Sequence, residues 1–215
     1  MSQLTFQRAR TAENKRRRAA TLMDAARSLA LESGVATVTL TAVAQRAGVH
    51  HSAMRRYFNS HCEILLHLAA EGWQRWSDTV CAGPAAPGPI SAARVAATLS
   101  NGLADDPLFC DLLAYLPLHL EHATEFHRVA LAPQIRMTDA IVRVLPQLGR
   151  QGAADIVAGA AALAGSSWML TYPEAVSDGC AGEPATAPAR SPGFRTTLTR
   201  SVTAMSVGLT AAQCD

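Results

Sequence analysis

The stretch from Thr39 to Leu65, TLTAVAQRAGVHHSAMRRYFNSHCEIL, constrains this chain more than any other, because it reads as two short helices around a tight turn followed by a longer third. Leu40, Val43, Ala44 and Ala47 recur at intervals of three and four and so line one face of a helix. Thr39 stands where an N-cap belongs: its hydroxyl can accept from a first-turn amide and leave other amides there to face a phosphate. Gly48 allows the positive φ that a sharp break between helices needs, and Val49 then packs inward. A second helix, His51 to Tyr57, sets Met54 and Phe58 four apart toward the core and leaves Arg55 and Arg56 on the opposite face. Ser60 caps the third helix.

That division suits DNA. A major groove admits one helix, and base edges are read by side chains on its exposed face, most often Arg bonded bidentately to guanine. A phosphate contact positions without specifying sequence, and either role is open to Arg55 and to Arg56. A merely solvated basic face is the competing account, and the charge distribution weighs against it. Residues 1–60 hold ten Lys or Arg against three Asp or Glu, a net +7, whereas the remainder holds nine against fourteen, a net −5. Arg8, Arg10, Lys15, Arg16, Arg17 and Arg18 concentrate the positive charge before and within the first helix, as a flexible arm that can follow a phosphate backbone or enter a minor groove.

The segment resembles the DNA-binding domain of the tetracycline-repressor (TetR) family of bacterial regulators. Leu22-Met23-Asp24-Ala25-Ala26 is similar to that family's first-helix core and Gly34 to its stop. Val43-Ala44-Gln45-Arg46-Ala47-Gly48-Val49 is similar to its turn segment and Tyr57-Phe58-Asn59-Ser60 to its close. The resemblance implies an operator surface drawn from Arg16, Arg17, Arg18, Thr39, Thr41, His50, His51, Ser52, Arg55, Arg56, Tyr57 and His61. Family members usually carry Ser at His50, Gly at Ser52, Thr or Ser at Ala53 and Tyr at Arg55, so the recognition positions depart from the common pattern and predict an operator richer in guanine. His61 replaces a common Lys.

Beyond the head the chain reads as all-α, an N-terminal helix-turn-helix domain over 1–61 and a helical domain over 62–215, to which the resemblance assigns effector binding and dimerisation, joined by a linking helix over about 60–81. Ile64, Leu65, Leu68, Ala69, Gly72, Trp73 and Trp76 form a continuous stripe on that linker. The run CAGPAAPGP ends it, and helices follow over 91–104, 107–120, 123–145, 153–172 and 194–209, with a flexible Pro-, Gly- and Ala-rich loop over 173–193. Pro117 and Pro133 should kink or split their helices.

Phe109, Leu113, Leu116, Phe126, Met137 and Trp168, with the polar His119 and His122, compose a candidate lining for an apolar or mixed small-molecule effector. Plain core packing explains most of them singly. By resemblance, the last two long helices of each subunit build a four-helix dimer interface, with Ala162, Gly165, Met169, Leu198, Val202 and Met205 as its candidates. A homodimer would present two heads to a palindromic double-stranded operator.

His119, Glu121, His122, Glu125 and His127 tempt a metal reading, but HLEHATEFH is not the H-E-x-x-H pattern, and neither a phosphate loop nor a nucleophile elbow occurs. No metal, cofactor or catalytic residue is therefore expected, and a metal-dependent enzyme is the remote alternative. A DNA-binding regulator answering to a partner protein instead of a ligand is the nearer one. Cys62, Cys81, Cys110, Cys180 and Cys214 lack paired spacing and read as reduced thiols. With a polar, basic start and no apolar span there, the expectation is a cytoplasmic protein that does not engage a membrane.

Overall fold

In the computed structural model, which describes residues 2–83, 90–118, 123–172 and 192–212, every regular element among the described residues is helical. The DNA-side unit comprises α1 (Ser2–Ser33), α2 (Leu40–Arg46) and α3 (His51–Met54). It is followed by α4 (His61–Ala82), α5 (Ala92–Ala104), α6 (Pro107–Tyr115), α7 (Ala123–Val144), α8 (Gly149–Thr171) and α9 (Pro192–Ala212). Short 3-10 turns occupy Val35–Thr37, Leu116–Leu118 and Pro146–Leu148.

Caps and glycines set these bounds. Gly34 and Gly48 take φ of 86° and 64°, the left-handed region that a side chain strains to enter. Thr39 accepts the Ala42 amide and Ser60 the Glu63 amide, both at 3.1 Å. Glu63 reaches back to the Asn59 amide at 2.7 Å, a variant of the capping box.

Four spans differ from the sequence expectation. The basic residues near the N-terminus continue α1 as helix instead of forming a flexible arm, because no Gly or Pro interrupts residues 2–33. The second helix of the motif closes at Met54, and Arg55–Tyr57 lie in hydrogen-bonded turns, since Ser60 must be extended (φ −147°, ψ 164°) to cap α4. Pro133 is held inside α7 and does not split it, whereas Pro117 does end its helix as expected, residues 116–118 leaving the α form. α8 begins at Gly149, four residues before the expected start.

Two apolar cores result. One joins α1–α3 to the first half of α4 through Leu22, Val43, Met54, Phe58, Ile64, Leu65 and Leu68. It also takes Leu108, Leu112, Tyr115 and Leu116 from α6 and the turn after it, so the head's core reaches well beyond residue 61. The other core fills the bundle of α4–α9 around Trp73, Trp76, Phe109, Met137, Ile156 and Leu198. α6 is buried from Leu108 to Tyr115, as expected of a helix apolar on all sides, and belongs to both cores. The stretch 146–171 has the length and apolarity of a membrane span, with 44% of its most apolar window buried. Here Ile156, Val157, Ala160 and Ala164 of that stretch pack in the bundle core.

Candidate nucleic-acid interface

His50, His51, Ser52, Arg55 and Arg56 are all exposed along the second half of the motif, as is Thr41 on α2, while Met54 and Phe58 anchor the second half from beneath. Thr39 is exposed as well, with its hydroxyl committed to the cap. His50 caps α3: its Nδ1 lies 2.8 Å from the Ser52 hydroxyl and accepts the Ser52 amide at 3.3 Å, which fixes the ring at the edge of the exposed face. Tyr57 and His61 are half-buried where the motif meets α4. Arg46 does not join this surface. It pairs with Glu32 of α1 and holds that carboxyl below its ordinary value.

Arg56 and Tyr57 instead meet α1. With Asn14, Lys15, Arg17, Arg18 and Thr21 they line a cleft of about 640 Å3 that carries four cationic side chains and no carboxylate. The spacing of 14, 17, 18 and 21 puts these residues on one face of α1, a pattern that helical periodicity in the basic run could have revealed. Arg16 is exposed but is not part of that lining. A concave cationic surface beside an exposed reading segment can hold a backbone phosphate while neighbouring side chains reach base edges.

The residues expected to line an effector site are distributed differently. Phe109, Leu113, Leu116, Met137 and Trp168 are core residues, and Phe126 packs against the same cores half-buried. Phe109 stacks edge-on against Trp73 at 5.3 Å, and Trp168 edge-on against Phe194 at the same distance. His119 and His122 lie outside the described residues. An apolar cavity of about 330 Å3 is found elsewhere, between the end of α4, α5 and the end of α7. Val80, Cys81, Val95, Thr98, Ile141, Arg143 and Val144 are among its walls. Among the described residues no group of three His, Cys, Asp or Glu side chains is gathered as a metal would need.

The small residues of α8 also serve a different contact from the one expected. Gly165 is buried against α6, where a Cβ would stand 2.7 Å from the Leu113 carbonyl oxygen. Leu198 and Val202 are fully buried within the single chain, because α9 needs them to close the bundle against α5 and α8. Met205 and Met169 pack at the edge of that core. Toward their C-terminal ends α8 and α9 leave Ala162, Ser166, Leu170 and Val207 outward, with Leu170 81% exposed, while the charged Asp155 and Arg200 are exposed in their first halves.

Asp111 was not singled out by the sequence reading. It is buried in α6 with 4% exposure, and its Oδ2 accepts the Val35 amide at 2.8 Å. Burial pushes its pKa up to about 6 against the opposing pull of the Val35 amide and the Trp168 indole. The indole faces the carboxylate closely enough to favour its charge, yet neither Trp168 Nε1 nor Asp111 Oδ1 completes a hydrogen bond. A lone Asp in a helix otherwise apolar on every side was the available signal.

Helix, turn and reading segment backed by a third helix, with a cationic cleft alongside, define a helix-turn-helix DNA-binding protein fused to a helical bundle. Residues 22–68 match the family model of bacterial regulatory proteins, tetR family, and residues 70–213 match that of the tetracyclin repressor-like, C-terminal domain. No curated protein gives a significant match. The chain belongs to the TetR family and is a DNA-binding transcriptional regulator.

Proposed function

We propose that this regulator is a repressor that binds a palindromic operator as a homodimer and releases it when a small molecule occupies the bundle. The cationic cleft between α1 and the Arg56–Tyr57 turn carries the operator part of the reading. Lys15, Arg17, Arg18 and Arg56 would grip a phosphate there, and His51, Ser52 and Arg55 would face the major groove. The outward stripe of Ala162, Ser166 and Leu170 on α8, with Val207 on α9, supports subunit association: it lacks charge and lets a second pair of helices approach closely.

The cavity at the end of α4 supports the effector part. Its volume suits a small, mainly apolar molecule, and α4 runs from that cavity into the head's core over about 33 Å at 1.5 Å per residue. A ligand that favours a tilt of α4 unsuited to the operator would weaken DNA binding, and DNA would weaken ligand binding by the same factor. The role is regulatory and not enzymatic, and binding to the bacterial chromosome implies a cytoplasmic location. The test is selection of duplexes from a random library by the purified chain. An inverted repeat with half-sites one helical turn, or a multiple of it, apart is the expected yield. Enrichment of no sequence at all would refute the reading.

A further inference from the structure

α6 stands between the two cores, with Leu108, Leu112 and Tyr115 in the head's core and Phe109 and Leu113 in the bundle's. Asp111 is the single charged residue of that helix. Its Oδ2 holds the amide of Val35, the first residue of the turn that joins α1 to α2. A carboxylate from the bundle therefore fixes the joint from which α2 and α3 extend. On the other side stands Trp168 of α8, whose indole N–H and the carboxylate's Oδ1 are buried and complementary but complete no hydrogen bond. Gly165, three residues before Trp168, is where α8 rests directly on the backbone of α6.

We propose that Asp111 is a positioning residue for operator binding: its charged carboxylate holds the head in register through the Val35 amide, and Trp168 links that hold to α8. The inference rests on the DNA-binding reading above. A hydrogen bond to a charged acceptor is roughly twice as strong as one to a neutral acceptor. Protonation weakens the grip on Val35 and creates an O–H that has no acceptor at Oδ1. The titration of this group is placed near pH 6 by burial, and none of its causes is a charged side chain. The groups facing it are the Val35 amide from the turn, the indole from α8, and on α6 itself the thiol of Cys110, which burial keeps neutral. On the elements packed beside them, Arg27 of α1 pairs with Glu71 of α4, and Arg75 of α4 with Asp106 at the start of α6.

The test uses the full chain and the tightest duplex that the wild type selects from a random library. Val35 amide proton shifts and duplex dissociation constants are followed from pH 5 to pH 8 for wild type, Asp111→Asn and Trp168→Phe. The informative quantity is the ratio of the variant's Kd to the wild type's, which cancels any pH dependence of DNA binding that the two share. For Asp111→Asn that ratio should be about fivefold or more at pH 7.5 and approach one at pH 5. The Val35 amide should titrate in wild type and stay flat in Asp111→Asn. In Trp168→Phe, which lacks the N–H that favours the charge, both midpoints should move to higher pH. A ratio that is constant with pH, or a Val35 amide that does not titrate in the wild type, overturns the proposal. If no duplex is selected, the function proposed above fails, and the Val35 titration still decides the role of Asp111.

Discussion

Gly165 offers the sharpest test of how α8 is seated on α6. An alanine there sets Cβ 2.7 Å from the Leu113 carbonyl oxygen and 2.9 Å from its carbon, where ordinary contact begins at 3.4 Å. The helices must therefore separate by about 0.7 Å at a point where both partners are backbone and no rotamer can yield. Overpacking of this kind costs about 1–3 kcal/mol, and the better helix propensity of Ala returns about 1 kcal/mol. Gly159→Ala is the matched control. It lies in the same helix with the same propensity gain, but its Cβ meets the Sδ and Cε of Met205 at 2.6 and 2.9 Å, the far end of a flexible side chain. The difference between the two variants isolates the backbone clash, so Gly165→Ala should be the less stable by about 1–3 kcal/mol. Urea unfolding followed by circular dichroism measures this, at one protein concentration because association shifts apparent stability. Equal midpoints, or a higher one for Gly165→Ala, would show that α8 does not press on α6 as described.

Removing the cap with Ser60→Ala should cost about 0.5–2 kcal/mol in thermal denaturation, since the Glu63 amide loses its acceptor at the start of α4. Arg56→Ala should weaken all duplexes alike and reduce the salt slope of log K by about 0.9, whereas a variant that instead changes which duplex is preferred identifies a base reader. Asp111 binds its proton more tightly folded than unfolded. Its contribution to stability therefore grows as pH falls from about 6 toward the ordinary 3.8 and is lost as pH rises through that window, by at most about 3 kcal/mol. Asp111→Asn should accordingly be more stable than wild type at pH 7.5, with a lead that shrinks by pH 5. An unchanged lead in urea titrations at the two pH values would contradict this.

The local grammar of the head was legible because each signal acts within a few residues. Thr39 and Ser60 cap where they stand, Gly48 turns with φ of 64°, and Met54 and Phe58 face inward four apart. The extent of the basic helix was misread, since charge density suggested an arm while residues 2–33 contain nothing that breaks a helix. In the bundle, apolar periodicity says that a face is covered without saying by what. Phe109, Leu116 and Trp168 are covered by neighbouring helices of the same chain, and Leu198 and Val202 likewise, so neither an effector cavity nor a subunit interface could be separated from core by pattern alone. Gly165 and Ala162, three residues apart on α8, make the point: one meets Leu113 inside and the other faces out. Asp111 was visible as a charge in an apolar helix, but its partner lies 76 residues away and only the fold brings them together.

The account turns on selective DNA recognition by the exposed side chains between His50 and Arg56. The most direct measurement is fluorescence anisotropy of the purified chain on its best selected duplex and on a shuffled duplex of the same composition, at physiological salt. The account predicts binding at least about a thousandfold tighter to the selected duplex, with a steep salt dependence on both. Equal affinity for the two duplexes would contradict it and leave only a basic surface.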